Sequence, residues 1–143
     1  MSSEGQREEN PDEWEAVIPY DLISPNRLMR MHYRTRLREF DKVRDLLWYY
    51  GRPLPEFTRP VRLQITRLWG KRQRAMDLDN LYGSCKHLID ALKRPKGRSR
   101  KGLSVILDDD PSHIFLTVDQ IKDEDGLRQV KIRITPYDPP DLQ

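Results

Sequence analysis

Three stretches of the chain set an apolar side chain at every second residue, and this period restricts the fold more tightly than anything else in the sequence. "PVRLQITRLW" (60–69) places Val61, Leu63 and Ile65 against Arg62, Gln64 and Thr66. "HIFLTVDQI" (113–121) repeats the pattern with Ile114, Leu116 and Val118, and "VKIRIT" (130–135) repeats it with Val130, Ile132 and Ile134. Successive side chains of a strand point to opposite faces, so each stretch reads as a strand with one buried face. Asp125-Gly126, between the last two, is a turn signal that predicts a hairpin. "WEAVIPY" supplies Val17 and Ile18 as a short first strand, ended by Pro19.

A sheet with one apolar face needs a covering layer. From about Met31 to Tyr50, Leu37, Phe40, Val43, Leu47 and Tyr50 recur every three or four residues, the stripe of an amphipathic helix, and Gly51 and Pro53 stop it. A second helix starting near Asp79 brings Leu81, Cys85, Leu88, Ile89 and Leu92 within about 100° of one another, a core face. The expected fold is therefore α+β in two layers: a small mixed or antiparallel sheet with two main helices, in the order β-α-β-α-β-β. "DLISPNRLMRMHYRTR" reads as an extended basic loop. The expected domain covers residues 15–137, with a disordered acidic tail at 1–14 and a C-terminal tail at 138–143.

The 143 residues suit one core, and 36% hydrophobic with 34% charged residues describes a modest interior under a heavily charged surface. No apolar run approaches the roughly 18 residues of a spanning helix, and no secretory signal pattern opens the chain, so no membrane association and a cytoplasmic location are expected. The single cysteine, Cys85, has no partner for an internal disulfide and no paired spacing for zinc; its place on the core face makes it a small buried apolar side chain. Six acids against Arg7 give residues 1–15 a charge of −5, so residues 16–143 carry +8 within a total of +3. That excess attracts phosphate backbones or anionic surfaces.

Against this basic background, "AMDLDNLYGSCKHLIDALK" (75–93) opens with Asp77 and Asp79. On a continuous helix Lys86, Asp90 and Gly83 share the face of Asp79, with Lys86 about 10.5 Å along the axis. Two readings stand for the acid pair: Asp79 as the helix cap with Asp77 complementing the dipole, each contributing about 0.5–1 kcal/mol, or one half of a site for a hard cation. A second acidic run, Asp108, Asp109 and Asp110, follows the apolar "LSVIL" and precedes a strand. Adjacent carboxylates repel unless solvated or neutralised. If strand and helix ends bring both clusters to one rim, they select a cation such as Mg²⁺, whose chemistry suits phosphodiester hydrolysis, with Lys86 able to neutralise charge on the phosphate.

The combination of "DLDN" (77–80), Lys86 through Leu92 as K-x-x-x-D-A-L, and "DDD" (108–110) before a strand resembles the RusA-type Holliday-junction resolvases. "SPNR" (24–27) is similar to that family's N-terminal basic loop, and the resemblance spans roughly residues 16–135. It implies a homodimeric, Mg²⁺-dependent endodeoxyribonuclease, with Mn²⁺ as a substitute, that cuts four-way DNA junctions by paired nicks. By motif, Asp77, Asp79, Lys86 and Asp109 are the catalytic set, and Asp77, Asp79, Asp109 and the alternative Asp108 the metal ligands. The lysine stands seven residues after Asp79 where the family pattern has four; a loop at "LYGS", permitted by Gly83, restores the usual place. The basic linker "KRPKGRSRK" (93–101) is longer than in the family. The expected DNA-binding set is Arg27, Arg30, Arg34, Arg36, Lys71, Arg72, Arg74, Lys93, Arg94, Lys96, Arg98, Arg100 and Lys101. The same features also fit a non-catalytic DNA-binding protein on this fold, its acids serving as caps and turn residues.

Overall fold

A computed structural model describes residues 7–96 and 102–138. Its elements are β1 (Trp14–Ile18), α1 (Pro25–Arg30), α2 (Tyr33–Gly51), β2 (Val61–Trp69), α3 (Leu78–Ser84), α4 (Lys86–Leu92), β3 (Ile114–Lys122) and β4 (Gln129–Pro136). The fold is α+β with one four-stranded mixed sheet in the order β1-β4-β2-β3.

The expected hairpin does not form. β3 pairs with β2 in parallel, β4 pairs antiparallel with both β2 and β1, and β2 therefore lies between the two strands that the Asp125-Gly126 turn connects. The turn itself is present: Gly126 adopts φ +77°, and its N–H donates to the Asp123 carbonyl at 3.1 Å. The connection passes over the end of β2, where a Cβ on Gly70 would stand 2.8 Å from the Gly126 carbonyl oxygen. Crossing there lets β4 enter on the far side of β2.

Register aligns the inward side chains into rows across all four strands. Trp14, Ile134, Leu63 and Leu116 form one row; Ala16, Ile132, Ile65 and Val118 form the next. The third row begins with Ile18 and Val130 but ends with Arg67 and Gln120. Leu81, Cys85, Leu88, Ile89 and Leu92 are buried in the same core as these rows, as the helical stripe predicts. Burial pushes the Cys85 thiol up to about 12, so it stays protonated at neutral pH.

Local structure departs from expectation at four places. Residues 25–30 of the supposed basic loop form α1, started by Ser24, whose Oγ accepts from the Arg27 N–H, and by Pro25 in the first turn. Residues 7–13 of the supposed tail are held against 55–58: Asn10 Nδ2 donates to Thr58 Oγ1 at 2.9 Å, the Thr58 N–H donates to Asn10 Oδ1 at 2.9 Å, and Arg7 donates to the Pro55 carbonyl at 2.8 Å. Residues 1–6 and 139–143 lie outside the described residues. On α2 only Val43, Leu47 and Gly51 are buried, while Leu37 and Tyr50 are exposed. Finally, "LYGS" is helical throughout, and the helical arm breaks at Cys85 instead, separating α3 from α4.

Gly83 serves packing. A Cβ there would lie 2.4 Å from Pro25 Cγ, so only glycine lets α1 seat on α3. A helical Gly→Ala change ordinarily stabilises by up to about 1 kcal/mol. Gly83→Ala is expected to reverse that sign and destabilise by about 1–3 kcal/mol through overpacking, read as a lower urea midpoint at unchanged m-value.

Candidate functional site

The segment that leaves β2 is tied down at Gly70, Gln73, Arg74 and Met76. The Gln73 side chain accepts from the Gly70 N–H at 2.8 Å and donates to both oxygens of Asp21 at 2.8 Å. Gln120, from the neighbouring strand, accepts from the Met76 N–H at 2.9 Å and donates back to the Met76 carbonyl at 2.6 Å. Arg67 Nη1 donates to the Arg74 carbonyl at 3.1 Å and to Gln120 Oε1 at 3.0 Å. The residue just before the acid pair is thus clamped by Gln120, which Arg67 holds in turn.

Asp77 follows as the N-cap of α3. Its Oδ1 accepts from the Asn80 N–H at 2.8 Å and its Oδ2 from Asn80 Nδ2 at 3.1 Å. Capping falls to Asp77 and the first-turn acid is Asp79, the reverse of the expected assignment. Both carboxylates are exposed. Asp77 and Asn80 line a cleft of about 420 Å³ together with Asp21, Ser24, Arg27, Arg67, Gln73 and Arg74. Arg27 reaches it from α1, and Arg74 from the β2–α3 segment that also exposes Lys71 and Arg72.

Lys86 is the exposed first residue of α4, beyond the Cys85 break, and does not line the cleft. With "LYGS" helical, no loop shortens its distance from Asp79. Arg30, Arg34 and Arg36 are exposed on α1 and on the first turns of α2.

The second acidic run is elsewhere. Asp110 precedes β3, its carbonyl accepting from the His113 and Ile114 N–H groups at 3.0 Å, and His113 in turn bonds Val61 at the start of β2. Met76 is clamped at Gln120, six residues further along β3. At roughly 3.3 Å per strand residue, about 20 Å of β3 separates these two anchor points, which puts the acidic clusters at opposite ends of the strand. The expected convergence is therefore not what one chain provides, because the α3–α4 arm runs the length of β2 before the chain reaches Asp108. Among the described residues no group of three or more His, Cys, Asp and Glu is placed to hold a metal.

Each acid of that run has its own partner. Asp108 pairs with Lys96, whose hydrogen bond, helped by the Asp109 N–H, holds its carboxyl well below the ordinary range. Asp109 meets Lys93 at 3.5 Å, and Lys93 also meets Asp90 at 3.3 Å. Burial works against the Lys93 charge, but Asp90 and Asp109 outweigh it and raise its pKa. Asp110 is lowered by Ser112 and His113, the latter at 2.8 Å. Two of the basic-linker cations thus pair with the acidic run; Arg94 is exposed, and Arg98, Arg100 and Lys101 lie outside the described residues. No protein-family model matches the sequence, and no curated protein matches it.

Two residues were missed by the sequence reading. Arg67 continues the phase of Val61, Leu63 and Ile65, so the alternation itself places it on the buried face; that signal was available. His87 sits between α2 and α4, its ring 6.1 Å from Phe40 in an edge contact, with Nε2 buried and unpartnered. Burial lowers its pKa more than Asp90 and Glu39 raise it, and Lys86 and Arg36 add to the lowering.

Because the folded form holds fewer protons than the unfolded one just below the ordinary histidine pKa of about 6.5, stability is present above that pH and is lost as pH falls through it. The melting temperature is expected to drop between about pH 7 and pH 5, and His87→Gln to remove most of that drop. Asp77→Ala is expected to cost about 1 kcal/mol through the lost cap, Asp77→Asn much less, and Asp79→Ala close to nothing; urea unfolding separates the three.

Proposed function

We propose that the chain is a Mg²⁺-dependent, structure-selective endodeoxyribonuclease of the RusA type, acting as a homodimer on four-way DNA junctions. The observation that carries this reading is the placement of Asp77 and Asn80 of "DLDN" on a cleft shared with Arg27, Arg67 and Arg74. Carboxylates and guanidinium groups in one cleft suit a phosphodiester: arginine forks match phosphate oxygens, and acids hold a hard cation beside them.

The donor set fits Mg²⁺, which keeps several waters and is bound by one or two carboxylates together with substrate phosphates. Asp77 and Asp79 would hold it, and the chemistry such an ion supplies is activation of water and stabilisation of the departing oxygen. Asp77 keeps its cap while doing so, because a carboxylate has about four acceptor sites and the cap takes two. Asp108 and Asp109, at the far rim, join lysines to the α4 end and are left out of this set. Lys86, on the α4 surface with Arg30, Arg34 and Arg36 on the other helices, contributes positive charge along the path of a polyanion.

A second reading, a DNA-binding protein without nuclease activity, is favoured by the separation of the two acidic clusters and by the capping role of Asp77. A labelled four-way junction tests both. On the leading reading, Mg²⁺ or Mn²⁺ yields symmetric nicks, and Asp79→Asn binds the junction with near wild-type affinity while cutting falls by a hundredfold or more, about 3 kcal/mol of transition-state stabilisation. Cutting by Asp79→Asn at the wild-type rate overturns the assignment. Salt-sensitive binding with no nicks under either metal establishes the second reading.

A further inference from the structure

Arg67 is 3% exposed, yet among the described residues no carboxylate is hydrogen-bonded to it. Both of its acceptors, the Arg74 carbonyl and the Gln120 amide, are neutral, and its Nε is buried with no partner. Fully buried arginines are almost always paired, because a charge taken from water without a counter-charge is costly. Asp21 is the acid whose field favours its charge, but Gln73 occupies both Asp21 oxygens and Arg128 approaches at 3.5 Å. A guanidinium does not lose its proton at neutral pH, so the missing element is an anion.

The cleft provides room for one. Arg67 lines it beside Arg27 and Arg74, whose side chains enter from α1 and from the β2–α3 segment. The structural alternative, an arginine present only to clamp the Arg74 and Gln120 oxygens, accounts for Nη1 and leaves Nε unexplained. A neutral donor at this position would make the same two bonds without the cost of a buried charge.

We infer that Arg67, with Arg27 and Arg74 in the same cleft, forms a seat for one backbone phosphate of a nucleic acid. The inference rests on the nucleic-acid reading above and adds to it a positioning residue on the sheet itself. A phosphate there supplies the Arg67 guanidinium with a counter-charge, and because β2 and β3 hold that group, it fixes the strand relative to Asp77.

The test uses the ¹⁵N-labelled full chain and follows the arginine Nε–Hε resonances during titration with inorganic phosphate, ionic strength being held constant with chloride. The Arg67 signal, assigned by its loss in Arg67→Lys, is expected to shift and saturate. Arg27→Gln and Arg74→Gln, both at exposed positions, are expected to raise the dissociation constant by about three- to tenfold, the scale of one charge-assisted hydrogen bond. Should Arg67→Lys fail to fold, the loss of affinity in these two variants carries the test. A second arm titrates a dinucleoside monophosphate, whose phosphodiester should give the same Arg67 shift.

An Arg67 signal that stays fixed, or that drifts without saturating, overturns the inference. So does binding of free phosphate with no response to the phosphodiester, since the seat is then for a small anion. Neither arm requires cleavage. A saturating shift in a chain that never nicks DNA defeats the nuclease reading alone, whereas nicking with a silent Arg67 defeats this one alone.

Discussion

Everything else in the molecule is arranged around the pairing of β2 along both of its edges. Because β3 runs parallel on one side and β4 antiparallel on the other, the inward side chains of β2 become the centres of rows that cross the whole sheet. Two rows are apolar and are covered by the helices. The third ends in Arg67 and Gln120, and no apolar lid can close over a guanidinium. The chain leaving β2 answers with hydrogen bonds in place of contacts: Gln73 to Gly70 and Asp21, and Gln120 to Met76. A cleft at this end of the sheet follows directly from a charged residue at a core position of the central strand.

The strands and the core stripes of the α3–α4 arm were legible because period alone decides them. Strand order was not, because Asp125-Gly126 specifies a turn and says nothing about which edge the next strand will take. β2 had two edges to offer, and a parallel partner requires a long crossover, which the α3–α4 arm supplies between β2 and β3. The stripe on α2 overstated the core for a related reason. α2 packs on β1 and α4 at its middle and C-terminal turns, so Val43 and Leu47 are covered while Leu37 and Tyr50 project past the layer. In the site, "DLDN" was legible as a motif and Arg67 was legible as a phase. What no local pattern expresses is the distance between Asp77 and Asp109, which depends on the length of the helical arm and on the parallel direction of β3.

The charges sort along the same axis. At the rim where β2 and β3 begin, Asp108 is answered by Lys96, Asp109 by Lys93, and Asp110 by its hydrogen bonds with Ser112 and His113. Exposed pairs of this kind contribute little to stability. Their consequence is partial local neutralisation, which withdraws Lys93 and Lys96 from the positive surface and engages Asp108 and Asp109 where they stand.

At the opposite rim the balance differs in kind. Lys71, Arg72 and Arg74 are exposed, and solution salt screens such charges over about 8–10 Å, so they attract a polyanion from a distance but hold it weakly at any one point. Arg67 lies in the protein interior, where screening is weak and the donor geometry is set by the sheet. On the proposed function the two groups divide the task, the exposed cations drawing the backbone in and the buried one fixing a single phosphate. Asp77 lines the same cleft, and the β2 row that opened it sets where a phosphate seated on Arg67 would lie relative to that carboxylate.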